Sequence, residues 1–142
     1  MLTEAPTSFG ATLKDTESRD LSAFADWLEN GHIFGVFAPD LVGSAAWYAE
    51  DDPKTNHRAK LISVYVRASH RGQGLLDLLL AAVIEDARAA GKMQIELDVT
   101  ATNAKAVRAY ERNGFVIAGR IPNALNHDGV FTDDFIMLRP LV

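Results

Sequence analysis

The chain has 142 residues, 48 % of them hydrophobic, with a net charge of −5 and no cysteine. That length suits one domain with a core of its own. The acidic balance argues against non-specific binding to nucleic acid or an anionic membrane, and the missing cysteine removes thiol catalysis, thiolate metal sites and disulfides. Met1 to Lys14 lack the pattern of a signal peptide, and no apolar run nears the ~20 residues of a membrane span. A cytoplasmic protein is therefore expected.

Phe9 to Leu13 reads as a short strand, and Asp20 caps a helix through Phe24, Trp27 and Leu28 that stops at Asn30-Gly31. Ile33 to Ala38 and Ser44 to Ala49 read as strands joined at Pro39-Asp40, hence an antiparallel hairpin. Glu50 to Asn56, with Pro53, is a loop, and Leu61 to Val66 is a third strand rich in β-branched residues. Leu75 to Ala90 carries a wide apolar stripe and ends at Gly91, so it is a helix. Ile95, Leu97 and Val99 alternate with Glu96 and Asp98 in a half-buried strand. A second helix runs from about Asn103 to Arg112, before Asn113-Gly114. Phe115 to Ile121 and Val130 to Leu138 are closing strands, with His127-Asp128-Gly129 in the turn and Gly119 to Gly129 as a long connection able to shape a pocket. Strands on either side of the Leu75 helix should run parallel and the hairpins antiparallel, which gives a mixed sheet covered by helices.

Between strand and helix lies His70-Arg71-Gly72-Gln73-Gly74-Leu75-Leu76. A helix N-terminus carries about four unpartnered N–H groups and partial positive charge, and glycines let that backbone approach an anion closely. Arg71 and Arg67 add full charge, so a pyrophosphate fits. A Walker loop would need Gly-Lys-Ser/Thr, which does not follow; a dinucleotide fingerprint would need a small residue where Asp77 stands. Downstream, Asn103, Ala106 and Tyr110 fall at i, i+3 and i+7, on one helix face.

Arg71-Gly72-Gln73-Gly74-Leu75-Leu76 resembles the R-x-x-G-x-(G/A) coenzyme A loop of the GNAT superfamily of N-acetyltransferases, departing from it at Leu76. The later stretch resembles that family's N-x-x-A-x-x-x-Y-x-x-x-G-F signature at Asn103, Ala106, Tyr110, Gly114 and Phe115. The resemblance, carried by roughly Ala59 to Leu138, implies a single GNAT-like domain over 1–142. Its fold class would be α/β (α+β), with a mixed, largely antiparallel central sheet of about six or seven strands flanked by helices.

It further implies direct acetyl transfer from acetyl-CoA to a primary amine in a ternary complex, without a metal, nucleic acid or membrane partner, and with a homodimer left open as its assembly. Val64, Tyr65 and Val66 would meet the pantetheine arm, with one N–H polarising the thioester carbonyl. Arg71, Gly72, Gln73, Gly74, Leu75 and Leu76 would hold the pyrophosphate, and Asn103 and Ala106 would line the cofactor site. Tyr110 would assist the leaving thiolate. Family members often place a glutamate on the strand before the loop; here Ser63 and Tyr65 stand there. Glu96 is then the first candidate base, ahead of Asp98, His57, Glu50 or a water relay. The acidic runs Glu50-Asp51-Asp52 and Asp133-Asp134 are candidates for attracting a cationic amine.

Each residue also has a plain structural role: Asn103 a helix N-cap, Tyr110 a core aromatic, Gly114 a C-cap, Glu96 an exposed strand carboxylate. A non-catalytic acyl-CoA-binding module is the alternative reading, and a nucleotide-binding domain a third.

Overall fold

The computed structural model describes residues 32–37 and 40–142. The Phe9 strand and the Asp20 helix expected from the sequence lie outside the described residues.

Among the described residues six strands form one sheet, in the order β1-β2-β3-β4-β6-β5. They are β1 (His32–Phe37), β2 (Leu41–Tyr48), β3 (Arg58–Val66), β4 (Gln94–Thr100), β5 (Val116–His127) and β6 (Val130–Pro140). Helix α1 (Leu75–Ala89) joins β3 to β4, and α2 (Ala104–Arg112) joins β4 to β5. Among the described residues only β3 and β4 pair in parallel, as a strand-helix-strand crossover requires; the other pairs are antiparallel. The mixed, mostly antiparallel sheet expected from the sequence is the sheet observed.

Sequence chemistry accounts for the elements. The α1 stripe buries Leu79, Leu80, Val83, Ile84 and Ala87. These meet Ala45, Trp47, Ala59, Leu61, Ile95, Leu97 and Val99 from the strands, and Tyr110 and Phe115 from α2 and its end. Both helices thus pack on one face of the sheet. Burying side chains of this size contributes roughly 1.5–3 kcal/mol each, which fixes helix position far more firmly than propensity could. Helix α2 ends where Gly114 takes φ +92°, with Phe115 N–H on Tyr110 O (3.0 Å) and Gly114 N–H on Glu111 O (3.1 Å). A Cβ at Gly114 would also lie 2.8 Å from Arg139 Nε, which donates to Asn113 O. Backbone conformation and crowding together demand glycine there.

The expected loop from Gly119 to Gly129 is corrected. Strand β5 continues to His127, and only a tight turn at Asp128-Gly129 follows. Pro122 is accommodated because β5 is an edge strand, and a register shift between Ile121 and Leu125, with Asn123 at φ +53°, absorbs the break. Strand β3 likewise starts at Arg58 rather than Leu61, since its first three residues pair with β4.

Candidate active site

The parallel pairing of β3 with β4 covers only Arg58↔Gln94, Ala59↔Ile95 and Lys60↔Glu96. Beyond it the strands part, although β3 runs on to Val66 and β4 to Thr100. Each stays paired on its outer side: Ser44↔Tyr65 and Gly43↔Val66 on one, Leu97↔Met137 through Thr100↔Asp134 on the other. A wedge therefore opens in mid-sheet, walled by backbone edges that no neighbouring strand among the described residues satisfies. Such edges can hydrogen-bond an extended guest carrying amide groups.

A bulge accompanies the wedge. Ser63 has φ +55°, rare for a residue with a Cβ, and the β2–β3 register slips between Ser44↔Tyr65 and Ala46↔Ile62. Ser44 Oγ donates to Ser63 O at 2.9 Å, which holds the bulge in place. The extra residue reverses the alternation of β3. Before it Ala59 and Leu61 face the helices; after it Val64 and Val66 do, and buried Tyr65 stands outside that cluster.

At its open end the wedge meets the glycine loop. Gly72 and Gly74 have φ +80° and +78°, and a Cβ added at either would meet nothing within 4 Å, so backbone conformation alone selects glycine. Gly74 is the N-cap of α1 and supplies no side-chain cap. The first helical N–H with a partner is that of Leu78, on Gly74 O at 3.2 Å, which leaves the N–H groups of Leu75, Leu76 and Asp77 without backbone acceptors. Arg71 Nε donates to Val66 O at 2.9 Å, fastening that guanidinium beside the end of β3. The Asp77 side chain is engaged elsewhere, since Arg112 donates to it at 2.9 Å and Asn113 at 2.8 Å. The Asn113 bond, then Arg112, hold its carboxyl below the usual range, and the three side chains tie the start of α1 to the end of α2.

On α2, Asn103 caps the helix by accepting from Ala106 N–H at 3.2 Å. Ala106 packs against the core cluster, and Tyr110 lies within it. Tyr110 stacks edge-on to Phe115 at 5.8 Å, and burial pushes its hydroxyl up to about 12. The loop, Val64, Val66, Ala106 and Tyr110 thus gather on the helix-covered face.

Glu96 does not join them. It alternates with core residues Ile95 and Leu97, so it faces the other side of the sheet. There Arg58 grips it through Nε and a second nitrogen at 2.7 Å, and Gln94 donates at 3.0 Å. The Arg58 hydrogen bond holds its carboxyl below the usual range. Asp98 is paired with Lys60 at 2.9 Å on the same side. In the acidic run after β2, Asp52 holds a turn, its carboxylate accepting from Lys54 N–H (2.8 Å) and its carbonyl from Thr55 N–H (3.0 Å). The sequence gives no signal for the Ser63 bulge or the Asp77 clamp. No group of three or more metal-ligating side chains occurs among the described residues.

A strand pair split around a bulge, closing on a glycine-capped helix start, is the distinguishing feature of this fold. Residues 2–115 match the model of the Acetyltransferase (GNAT) family, and the chain belongs to that family. It is 32 % identical over 110 residues to streptothricin acetyltransferase of Streptomyces lavendulae, a match covering 78 % of this chain and 51 % of that protein. The chain thus spans about half the length of that relative. The ribosomal-protein-alanine N-acetyltransferase of Brucella melitensis superposes with TM-score 0.77 at 25 % identity, over 98 % of this chain and 91 % of that one. The structure of yncA from Salmonella typhimurium, solved with its cofactor acetyl-CoA, has the same fold (TM-score 0.77, 23 % identity, 88 % and 76 % covered). No helix among the described residues is long and apolar enough to cross a membrane.

Proposed function

We propose that this chain is an N-acetyltransferase that moves an acetyl group from acetyl-CoA to a primary amine by direct attack in a ternary complex. The observation that carries this reading is the wedge between β3 and β4 ending on the Gly72–Leu76 loop. The donor chemistry fits the residues present. The stretch from Val64 to Val66, where β3 has no β4 partner, suits an amide-bearing arm, and one N–H there would polarise the thioester carbonyl. The unpartnered N–H groups of the α1 start, with Gly72, Gln73, Gly74 and the Arg71 guanidinium, suit a pyrophosphate. Asn103 and Ala106 form the α2 wall of that site, with Asn103 already committed as a cap.

Tyr110 is assigned to the leaving sulfur. A thiol has a pKa of about 8.5, so full donation from a hydroxyl at about 12 is uphill by roughly 5 kcal/mol. Tyr110 therefore acts as a neutral hydrogen-bond donor to the thiolate. Glu96 is assigned to the closed root of the wedge, because Arg58 and Gln94 keep it ionised and occupied. The cytoplasm as compartment and a homodimer as assembly remain part of this proposal.

Calorimetric titration with acetyl-CoA, CoA and NAD tests the donor side: both coenzyme A species bind and NAD does not. Thiol release with an amine panel tests the chemistry. Binding without amine-dependent release would favour the non-catalytic acyl-CoA module. No binding of either coenzyme A species would overturn the proposal.

A further inference from the structure

On the sheet face away from α1 and α2, the charged side chains of β3 and β4 pair with one another. Arg58 holds Glu96, and Lys60 holds Asp98. Asp133 turns toward the helix-covered face, where Arg120 Nε donates to it at 2.8 Å and Asn123 N–H at 2.9 Å. Its neighbour Asp134 points the other way, as strand alternation requires. Asp134 is partly buried, and its Oδ1 is shut off from solvent without a hydrogen-bond partner among the described residues. Thr132 Oγ1, two residues earlier and so on the same face, is in the same condition. No cation among the described residues pairs with Asp134, and the nearby Lys60 is engaged by Asp98.

Position gives this pair its meaning. Asp134 lies directly opposite Thr100, the last residue of β4. Thr100 is on the open lip of the wedge, so Asp134 stands one strand, about 5 Å, from the gap. Its face is opposite to that of the glycine loop and Tyr110. A donor entering from the helix side would leave the Asp134 side of the gap for a second substrate. Buried polar groups are normally satisfied, and an uncompensated carboxylate costs stability unless a ligand completes it. With Asp98 balanced by Lys60, the carboxylate of Asp134 leaves the local potential negative, which favours an ammonium over an anion or a neutral hydroxyl.

We infer that Asp134 is the acceptor-side catalytic residue: it receives the substrate's ammonium, with Thr132 beside it, and takes the proton that must leave before attack. This assignment rests on the acetyl-transfer reading above. In the step, R–NH3+ gives one proton to the Asp134 carboxylate, the nitrogen lone pair forms the N–C bond to the thioester carbonyl, and the C–S bond breaks. The second proton leaves nitrogen as the amide forms and balances the thiolate as thiol; the proton on Asp134 passes to water. Burial first, and the charge of Asp98 second, raise the Asp134 carboxyl from its ordinary value, which improves its match to proton acceptance near neutral pH.

The test uses Asp134→Asn and Asp134→Glu in the full chain. L-Lysine, L-methionine, 1,4-diaminobutane and trialanine serve as amine probes, with thiol release as the readout. With any probe the wild type uses, Asp134→Asn should lower kcat/KM for the amine by roughly 100-fold or more, with Asp134→Glu restoring part of it. Acetyl-CoA affinity by calorimetry should stay within about twofold and the urea midpoint should not fall, because the variant removes a partly buried charge that lacks a partner among the described residues. Full activity in Asp134→Asn would overturn the assignment while leaving acetyl transfer intact, as would equal losses of activity, acetyl-CoA affinity and stability. A wild type that binds acetyl-CoA but releases thiol with no probe would overturn both.

Discussion

Tyr110→Phe separates the burial of the tyrosine from its chemistry. In the fold Tyr110 is 7 % exposed and burial raises its hydroxyl from 10.0 to about 12. Below pH ~10 the hydroxyl is protonated in folded and unfolded chains alike, and the group makes no difference to stability. As pH rises from 10 toward 12, the unfolded chain releases the proton and the folded chain does not, so folding loses free energy. The loss is about 1.4 kcal/mol by pH 11 and approaches about 2.7 kcal/mol above pH 12, from two units at 1.36 kcal/mol each. The phenylalanine variant lacks this alkaline loss. Urea denaturation followed by tryptophan fluorescence between pH 8 and 11 should show the two stability curves diverging above pH 10. Parallel curves over that range would refute the argument that the hydroxyl is buried and neutral. In activity, loss of a charge-assisted hydrogen bond to the thiolate, worth about 1.5–3 kcal/mol, should lower kcat roughly 10- to 100-fold. The wild-type rate should show no Tyr110 limb below about pH 11.

Glu96→Gln should leave amine-dependent thiol release within a few-fold of wild type but cost roughly 1 kcal/mol of stability at pH 7, read by urea denaturation. That difference should vanish in acid: a depressed carboxyl contributes above its unfolded pKa of about 4.5 and loses its contribution as pH falls through the lower folded value. Gly74→Ala forces a Cβ into φ +78°, so stability should fall by about 1–2 kcal/mol, and the methyl added on the open loop should separately weaken acetyl-CoA binding. Calorimetry and thermal melting separate the two effects. Asp77→Ala releases Arg112 and Asn113; the half-exposed Arg112 pair contributes little, so stability should fall by no more than about 1–2 kcal/mol, mostly from the Asn113 bond. Hydrogen exchange should rise at the facing ends of α1 and α2.

What can be read from the sequence is local. Glycines after β3 and after α2 announce left-handed backbone, and both sites adopt it. The apolar stripe of α1 and the alternation in β4 place the core correctly, because helix and strand periods are set within a few residues. The Gly119–Gly129 segment reads as a loop because Pro122 looks like a strand breaker, and only the tertiary fact that β5 is an edge makes it harmless. The wedge is illegible for a similar reason. No pattern announces a positive φ at serine; the Ser63 bulge exists because β2 offers the Ser44 hydroxyl, 19 residues earlier in the chain.

That bulge links the two sides of the proposed reaction. Without an extra residue in β3, Val64 and Val66 would face away from the helices and Tyr65 toward them. The reversal brings small β-branched side chains to the face of the glycine loop, where an extended donor can lie close to the backbone. In the parting strands the inner hydrogen-bonding edge of β4 is exposed as far as Thr100. Thr100 is the position Asp134 faces across the β4–β6 ladder. Donor and acceptor can then approach one gap from opposite faces of a single sheet. This arrangement gives a physical reason for the division of carboxylates: Glu96 is spent at the closed root, where Arg58 satisfies it, while Asp134 is left unpaired beside the open lip.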